Sequence, residues 1–300
     1  MEFSNDLSVK YETMRNVVYK KQSMSNTSAK EENIDNVMEL IDKSVTILQN
    51  AGCDHPQYGA EAIIACVLGV SVYQVQGLKT KTLSTSQAKL IADQIQRRSQ
   101  RVPLEYITGQ CQFRGLILDI DERVFVPQER SGPLVELALA LPIGARVHDV
   151  GTGSGAIALA IKNERNDLIV SGSDISAKAI EVARANSAKL GLSVNFTVES
   201  GLPDGKYDLV VANLPYQDEH GKTMSLRPEL TQYMPHVAVF ARDPDGLGII
   251  REFVQSVRCE TTVAIEHAVP QTALVRSMFA EAEVLGEATE SRSFTVGRLL

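Results

Sequence analysis

Apolar residues recur at three- and four-residue steps through Ile34, Val37, Met38, Ile41, Val45 and Leu48. That is the period of one buried helix face. Gly52 predicts its end. Ala60, Ile63, Ile64, Val67 and Leu68 form a second face of the same kind. Ser84 and Gln87 have the spacing of a capping box. They predict a third helix with Leu90, Ile91 and Ile95 inward, and with Arg97 and Arg98 at the end where the helix dipole favours cations. These elements predict a small all-helical domain over 34–100 with little core of its own. Residues 1–33 are rich in Ser, Asn, Lys and Glu and predict a polar arm.

From 101 the period changes. Tyr106, Ile107, Phe113, Leu116, Leu118, Ile120, Val124 and Val126 alternate with polar residues around Gly109 and Gly115. This predicts an antiparallel hairpin linker over 101–130. Beyond it, strand and helix patterns alternate. Residues 145–150, 168–174, 194–198, 207–212 and 262–266 read as strands; 156–162, 176–190 (with Ser176 as N-cap) and 270–282 read as helices. Residues 283–287 and 294–299 read as a closing hairpin. The alternation predicts an α/β domain over 131–300: a mostly parallel Rossmann-like sheet, covered on both faces, with an antiparallel edge.

Composition narrows the class. The chain is 44% apolar and 22% charged, with a mean hydropathy of −0.07, which excludes wholesale disorder. The longest nearly apolar stretch, 60–70, is interrupted by Glu61 and is too short to span a bilayer. The N-terminus has neither the basic region nor the apolar region of a signal peptide. Cys53, Cys66, Cys111 and Cys259 lie far apart with no CxxC pair, which predicts reduced thiols in a cytoplasmic protein. The net charge of −7 counts against a broad nucleic-acid-binding face.

The strand at 145–150 runs straight into Gly151-Thr152-Gly153-Ser154-Gly155-Ala156. Glycines at such a turn let a ligand approach the backbone. Asp174 ends the next strand, nineteen residues past Gly155, where its carboxylate can accept from both hydroxyls of a ribose. Gly151, Gly153 and Ala156 also fit the dinucleotide fingerprint G-x-G-x-x-A. Two features favour S-adenosylmethionine (SAM). Asp149 sits at the turn, where its carboxylate suits the cationic methionine end of SAM and would repel a pyrophosphate. The chain also closes with a strand pair where a dehydrogenase would add a catalytic domain.

The strand at 207–212 ends in Asn213-Leu214-Pro215-Tyr216, beside the predicted cofactor crevice. An amide nitrogen has a delocalised lone pair. Two acceptors gripping its N–H bonds orient it and return electron density to it. Asn213 Oδ1 and the Leu214 carbonyl can supply them, Pro215 stiffens the turn, and Tyr216 can lay its ring on a flat acceptor. Alone, N-x-P-Y is a common turn; behind a SAM loop it reads as an acceptor clamp.

At this point the chain resembles the HemK/PrmC-type glutamine-N5 methyltransferases, which act on peptide-chain release factors. The likeness spans about 35–300. It is carried by Arg101-x-Pro103-Leu104-x-Tyr106-Ile107-x-Gly109 with Phe113 and Gly115, by Asp149 to Gly155, by Asp174-Ile175-Ser176 and by Asn213 to Tyr216. Tyr233-x-Pro235-x-x-Ala238, Asp245-Gly246-Leu247 and Ile265-Glu266 complete it. The resemblance implies a class I SAM-dependent methyltransferase domain behind a helical domain and a hairpin. It implies that Asp149, Gly151, Thr152, Gly153, Gly155, Asp174 and Ile175 hold SAM, that Asn213 to Tyr216 clamp the acceptor, and that Phe113 closes over the site. The chain departs from the family in three places. Leu214 replaces the first proline of N-P-P-Y, Pro127-Gln128-Glu129-Arg130-Ser131-Gly132 stands where the family reads P-R-P-x-T-E, and Met234 replaces a glutamate. An acid near adenine is not evident, and Glu199 or Ser200 stands in. The departures cluster at the acceptor entrance. That keeps three other readings open: a small-molecule acceptor or cyclisation of SAM with release of methylthioadenosine, adenine-N6 methylation (whose enzymes share N-L-P-Y), and a non-catalytic SAM-binding module.

Other polar residues read as structural. His148 is expected in the core, His220 and His236 in surface loops, and His267 in a hydrogen-bonded structural role. No histidine spacing suggests a metal. Arg97, Arg98 and Arg101 are expected to form a solvated helix end.

Overall fold

The computed structural model describes residues 33–218, 226–241, 243–257, 261–289 and 292–298. Apart from Asn33, the expected polar arm lies outside these residues, as do His220 and Cys259.

The chain enters through a short strand, β1 (Asn33–Asn36), and the first helix, α1 (Val37–Asn50), follows directly. Ile34 therefore belongs to a strand and not to the helix face. Asn36 ends that face early because its side chain accepts from the Glu39 N–H at 2.9 Å, which makes it the N-cap. Met38 is 52% exposed and also falls outside the buried stripe. Next come α2 (Pro56–Leu68), β2 (Thr82–Ser84, antiparallel to β1) and α3 (Thr85–Ser99). The Ser84–Gln87 capping box is present. Leu40, Ile41, Leu48, Ile63, Ile64, Ile91 and Ile95 meet in one apolar cluster.

Pro103 opens a five-residue helix, α4 (Leu104–Thr108), and left-handed Gly109 closes it. Tyr106 and Ile107 thus lie on a helix and not in the hairpin. The hairpin is β3 (Gln110–Phe113) paired antiparallel with β4 (Leu116–Asp119). Cys111, Phe113, Leu116 and Leu118 are buried in the same cluster as Val147, Leu159 and Phe196 of the α/β domain. The hairpin is therefore docked on that domain.

The α/β domain runs α5 (Gly132–Leu139), β5 (Arg146–Val150), α6 (Ala156–Glu164), β6 (Ile169–Asp174), α7 (Ala177–Leu190), β7 (Asn195–Val198) and β8 (Leu209–Ala212). It continues through α8 (Pro228–Tyr233), α9 (His236–Val239), α10 (Gly248–Ser256), β9 (Thr262–Ala268), α11 (Thr272–Arg276), β10 (Glu281–Thr289) and β11 (Arg292–Arg298). The sheet order is β7-β6-β5-β8-β9-β11-β10. The first five strands are parallel, and β11 is antiparallel to both neighbours. This is the class I SAM-dependent methyltransferase fold. The helix expected over 270–282 is only five residues long. Phe279 turns inward over Gly297 of β11, and the chain re-enters the sheet two residues later. Apolar clusters cover both faces of the sheet, one around Leu159, Ile180 and Phe196, the other around Ile250, Phe253 and Ile265. No single helix among the described residues is long and apolar enough to cross a membrane.

The two parts are joined by an ion pair that corrects the solvated reading of Arg98 and Arg101. Arg98 Nη1 donates to Glu229 Oε1 on α8 at 2.9 Å and to the Val102 carbonyl at 3.0 Å. Arg101 grips both Glu229 oxygens, at 2.8 and 2.7 Å, and donates to the Gly52 carbonyl at 2.6 Å. Arg98 is 7% exposed, and an arginine that deep requires a carboxylate partner.

Candidate functional site

A cleft of about 630 Å³ opens at the carboxyl ends of the parallel strands, where the order turns from β5 to β8. That switch point is where open α/β sheets bind ligands. Its floor is the loop after β5. Gly151, at φ 72°, lies so close to Leu214 that a Cβ there would stand 2.9 Å from its side chain. Gly155, at φ 83°, is packed against Phe196, Leu159 and Ala183. Around Gly153 there is open space, so a ligand can reach the backbone. The loop is tied to β6: Gly151 and Thr152 N–H both donate to the Ser173 carbonyl at 2.9 Å.

Asp174 lies at the cleft wall. Its Oδ2 accepts from the Gly153 N–H at 2.9 Å and its Oδ1 from the Ser176 N–H at 2.8 Å. Burial raises its pKa, and these backbone bonds oppose the rise. Each oxygen keeps a further lone pair for a hydroxyl. Ile175, Glu199 and Ser200 line the same end of the cleft, and the Glu199 N–H donates to the Asp174 carbonyl at 3.0 Å.

Asp149 is elsewhere than expected. It is 1% exposed and does not line the cleft. Its Oδ2 accepts from Thr152 Oγ1 at 2.7 Å and from the Ala158 N–H at 3.3 Å, so it braces the loop from beneath. Its Oδ1 is buried with no hydrogen-bond partner among the described residues. Desolvation pushes its carboxyl up to about 7, against the Thr152 hydrogen bond and with the charge of Asp174 adding to the rise. Asp174 keeps acceptor positions for ribose hydroxyls, and the open space at Gly153 admits a ligand against the loop backbone. The residues present therefore fit SAM.

Phe113 also differs from expectation. It lines the cleft but is 1% exposed, locked into the core by the docked hairpin. It is a fixed wall and not a closing flap.

Asn213, Leu214, Pro215 and Tyr216 follow β8 and line the same cleft beside the glycine loop. Asn213 Nδ2 donates to Ser131 Oγ at 3.2 Å, and Ser131 Oγ donates to Glu266 Oε2 at 2.6 Å. The Tyr216 hydroxyl donates to Glu266 Oε1 at 3.2 Å. Tyr216 is 5% exposed, so its ring is mostly a packed wall instead of a free stacking plate. Gln271 Nε2 donates to the carbonyls of Tyr216 and Asp245, at 2.9 and 2.8 Å, and fixes the backbone of the turn. Ser131, Glu266 and Gln271 are functional-site neighbours that motif reading did not assign. The available signal was Glu266, a charge inside the apolar run of β9.

His148 and His267 are structural, and His236 is peripheral. His148 is held between the hydroxyls of Ser171 and Ser173 at 2.8 and 2.9 Å, and burial lowers its pKa to about 4. Nε2 of His267 lies 2.8 Å from Thr295 Oγ1, and the residue is buried. His236 is exposed at the cleft rim.

Residues 134–238 match the family model "Methyltransferase small domain", and residues 39–109 match "PrmC N-terminal domain". The chain is 35% identical over 182 residues to the release factor glutamine methyltransferase of Streptococcus pneumoniae, covering 59% of this chain and 64% of that one. It is 36% identical over 196 residues to the protein of the same name from Neisseria gonorrhoeae, covering 62% and 71%. With the Deinococcus radiodurans protein of that name it shares 32% identity over 223 residues, covering 72% and 78%. These relatives show that the chain belongs to the release factor glutamine methyltransferase family.

Proposed function

We propose that this protein methylates a side-chain amide nitrogen, with a glutamine of a peptide-chain release factor as acceptor. One observation carries the reading. The Asn213–Tyr216 turn and the Gly151–Gly153 loop with Asp174 line one cleft, side by side at the ends of adjacent strands. SAM, when bound, supplies an electrophilic methyl group on a sulfonium. The chain's own residues supply orientation. Asp174 offers lone pairs to ribose hydroxyls, and the exposed backbone at Gly153 leaves room for the cofactor. Asn213 Oδ1 and the Leu214 carbonyl accept the two N–H bonds of the acceptor amide and set its lone pair along the line of attack. No strong base is needed, because the nitrogen loses its proton readily once it is cationic. The names of the relatives and the planar-amide chemistry of the turn support glutamine as the acceptor.

The test is incubation of the full chain with SAM, with and without a release factor, followed by tandem mass spectrometry. One methyl on a single glutamine, matched by S-adenosylhomocysteine, is expected. Methylthioadenosine from SAM alone, or a release factor left unmodified, contradicts the proposal. Asn213→Ala is expected to lower kcat at least about tenfold, the loss of one transition-state hydrogen bond, with SAM affinity kept within about twofold.

A further inference from the structure

We infer that Glu266 and Ser131 are positioning residues that set the polarity of the Asn213 amide. The inference rests on the reading that Asn213 Oδ1 grips the acceptor. An asparagine amide is nearly symmetric in shape but not in chemistry, since one end accepts and the other donates. Turned the wrong way, Asn213 presents hydrogens to the hydrogens of the acceptor amide, and the grip becomes a repulsion. Something must choose the orientation.

The choice follows from the hydrogen-bond order behind the cleft wall. Glu266 is fully buried on β9, and its two oxygens receive the Ser131 and Tyr216 hydroxyls. A carboxylate has no hydrogen to donate, so the Ser131 proton points to Glu266. The 2.6 Å separation is that of a charge-assisted bond. Ser131 then turns lone pairs toward Asn213 and calls for a donor. Only Nδ2 can answer, at 3.2 Å. With Nδ2 committed, Oδ1 is the end left for the cleft that Asn213 lines. The three residues come from α5's approach, the end of β8 and the end of β9, and they form a one-way relay. The same Glu266 holds the Tyr216 hydroxyl, so one carboxylate steadies both ends of the turn.

Glu266→Gln tests the direction of the relay because it keeps shape and hydrogen bonding. A glutamine can donate to Ser131, which frees the serine proton for Asn213 Oδ1 and lets the amide turn over. In the full chain, with SAM and a release factor as substrates, kcat is expected to fall about tenfold or more. The Kd of SAM should stay within about twofold, since the glycine loop and Asp174 are untouched. Ser131→Ala should give a similar kcat loss, and the double variant little further loss, because both act through one bond. Ser131→Thr, which keeps the hydroxyl, should restore most of the rate. Melting temperatures and SAM binding of each variant separate misfolding from misorientation, and Ser131→Ala removes only one oxygen should Glu266→Gln fail to fold. Asn213→Ala is the reference. If it is inactive while Ser131→Ala, and any folded Glu266→Gln, turn over at the wild-type rate, the relay is wrong and the clamp stands. If Asn213→Ala is itself fully active, the clamp reading fails and the relay falls with it. A folded, SAM-binding Ser131→Thr that stays as slow as Ser131→Ala also overturns the relay.

Discussion

Asp149 illustrates how burial converts a common side chain into a tuned one. It is sealed under the glycine loop and its carboxyl is raised to about 7. The folded state therefore binds a proton that the unfolded chain, near 3.8, has released. Stability attributable to this group falls as pH rises from about 4 to about 7 and is level beyond. Asp149→Asn removes the titration. Denaturant unfolding across that range should show a flatter pH slope for the variant than for the native chain; parallel slopes would contradict the assignment. The glycine loop, Asp174 and the Asn213 turn were legible in the sequence because each is a contiguous motif. Ser131, Glu266 and Gln271 were not assigned, because their relation to Asn213 is made by the fold across a long stretch of chain. The direction of the Asp149 side chain was also hidden: sequence gives its place at the loop but not whether it points above or beneath it.

Among elements, strong periodicity was the reliable guide. The five parallel strands and the helices at 156 and 176 follow from alternating apolar runs and, for the second, a capping serine. Short helices were misread. Five residues at Leu104–Thr108 make little more than one helical turn, too short for the period to repeat, and Tyr106 and Ile107 favour strands on propensity alone. The join between the helical domain and α8 was invisible because it depends on one carboxylate. Burial would raise the Glu229 carboxyl, but the Arg101 and Arg98 hydrogen bonds prevail and hold it below the usual range. Its stabilising contribution is present above the unfolded carboxylate range and is lost as pH falls through the lowered value. Glu229→Gln should cost about 3 kcal/mol, the lower end for a broken buried pair, since Arg101 retains some contact with water. Leu230 and Pro235 beside it line the cleft, so methyl transfer should weaken as well. A variant with native stability at neutral pH would show that the pair joins nothing.

At the scale of the whole molecule, three layers converge on one cleft. The sheet presents the ends of β5, β6 and β8 to it, the docked hairpin supplies Phe113 as a wall, and α8 ties the opposite rim to the helical domain. The proposed chemistry needs this rigidity, because it depends on the line along which a planar nitrogen meets a methyl group. The most direct measurement is a crystal structure of the full chain with S-adenosylhomocysteine and a glutamine-bearing peptide from a release factor. The account predicts the thioether over Gly151–Gly153, the ribose on Asp174, and the two amide hydrogens of the glutamine on Asn213 Oδ1 and the Leu214 carbonyl. A glutamine amide bound away from that turn, or an Asn213 that offers Nδ2 to it, would contradict the account.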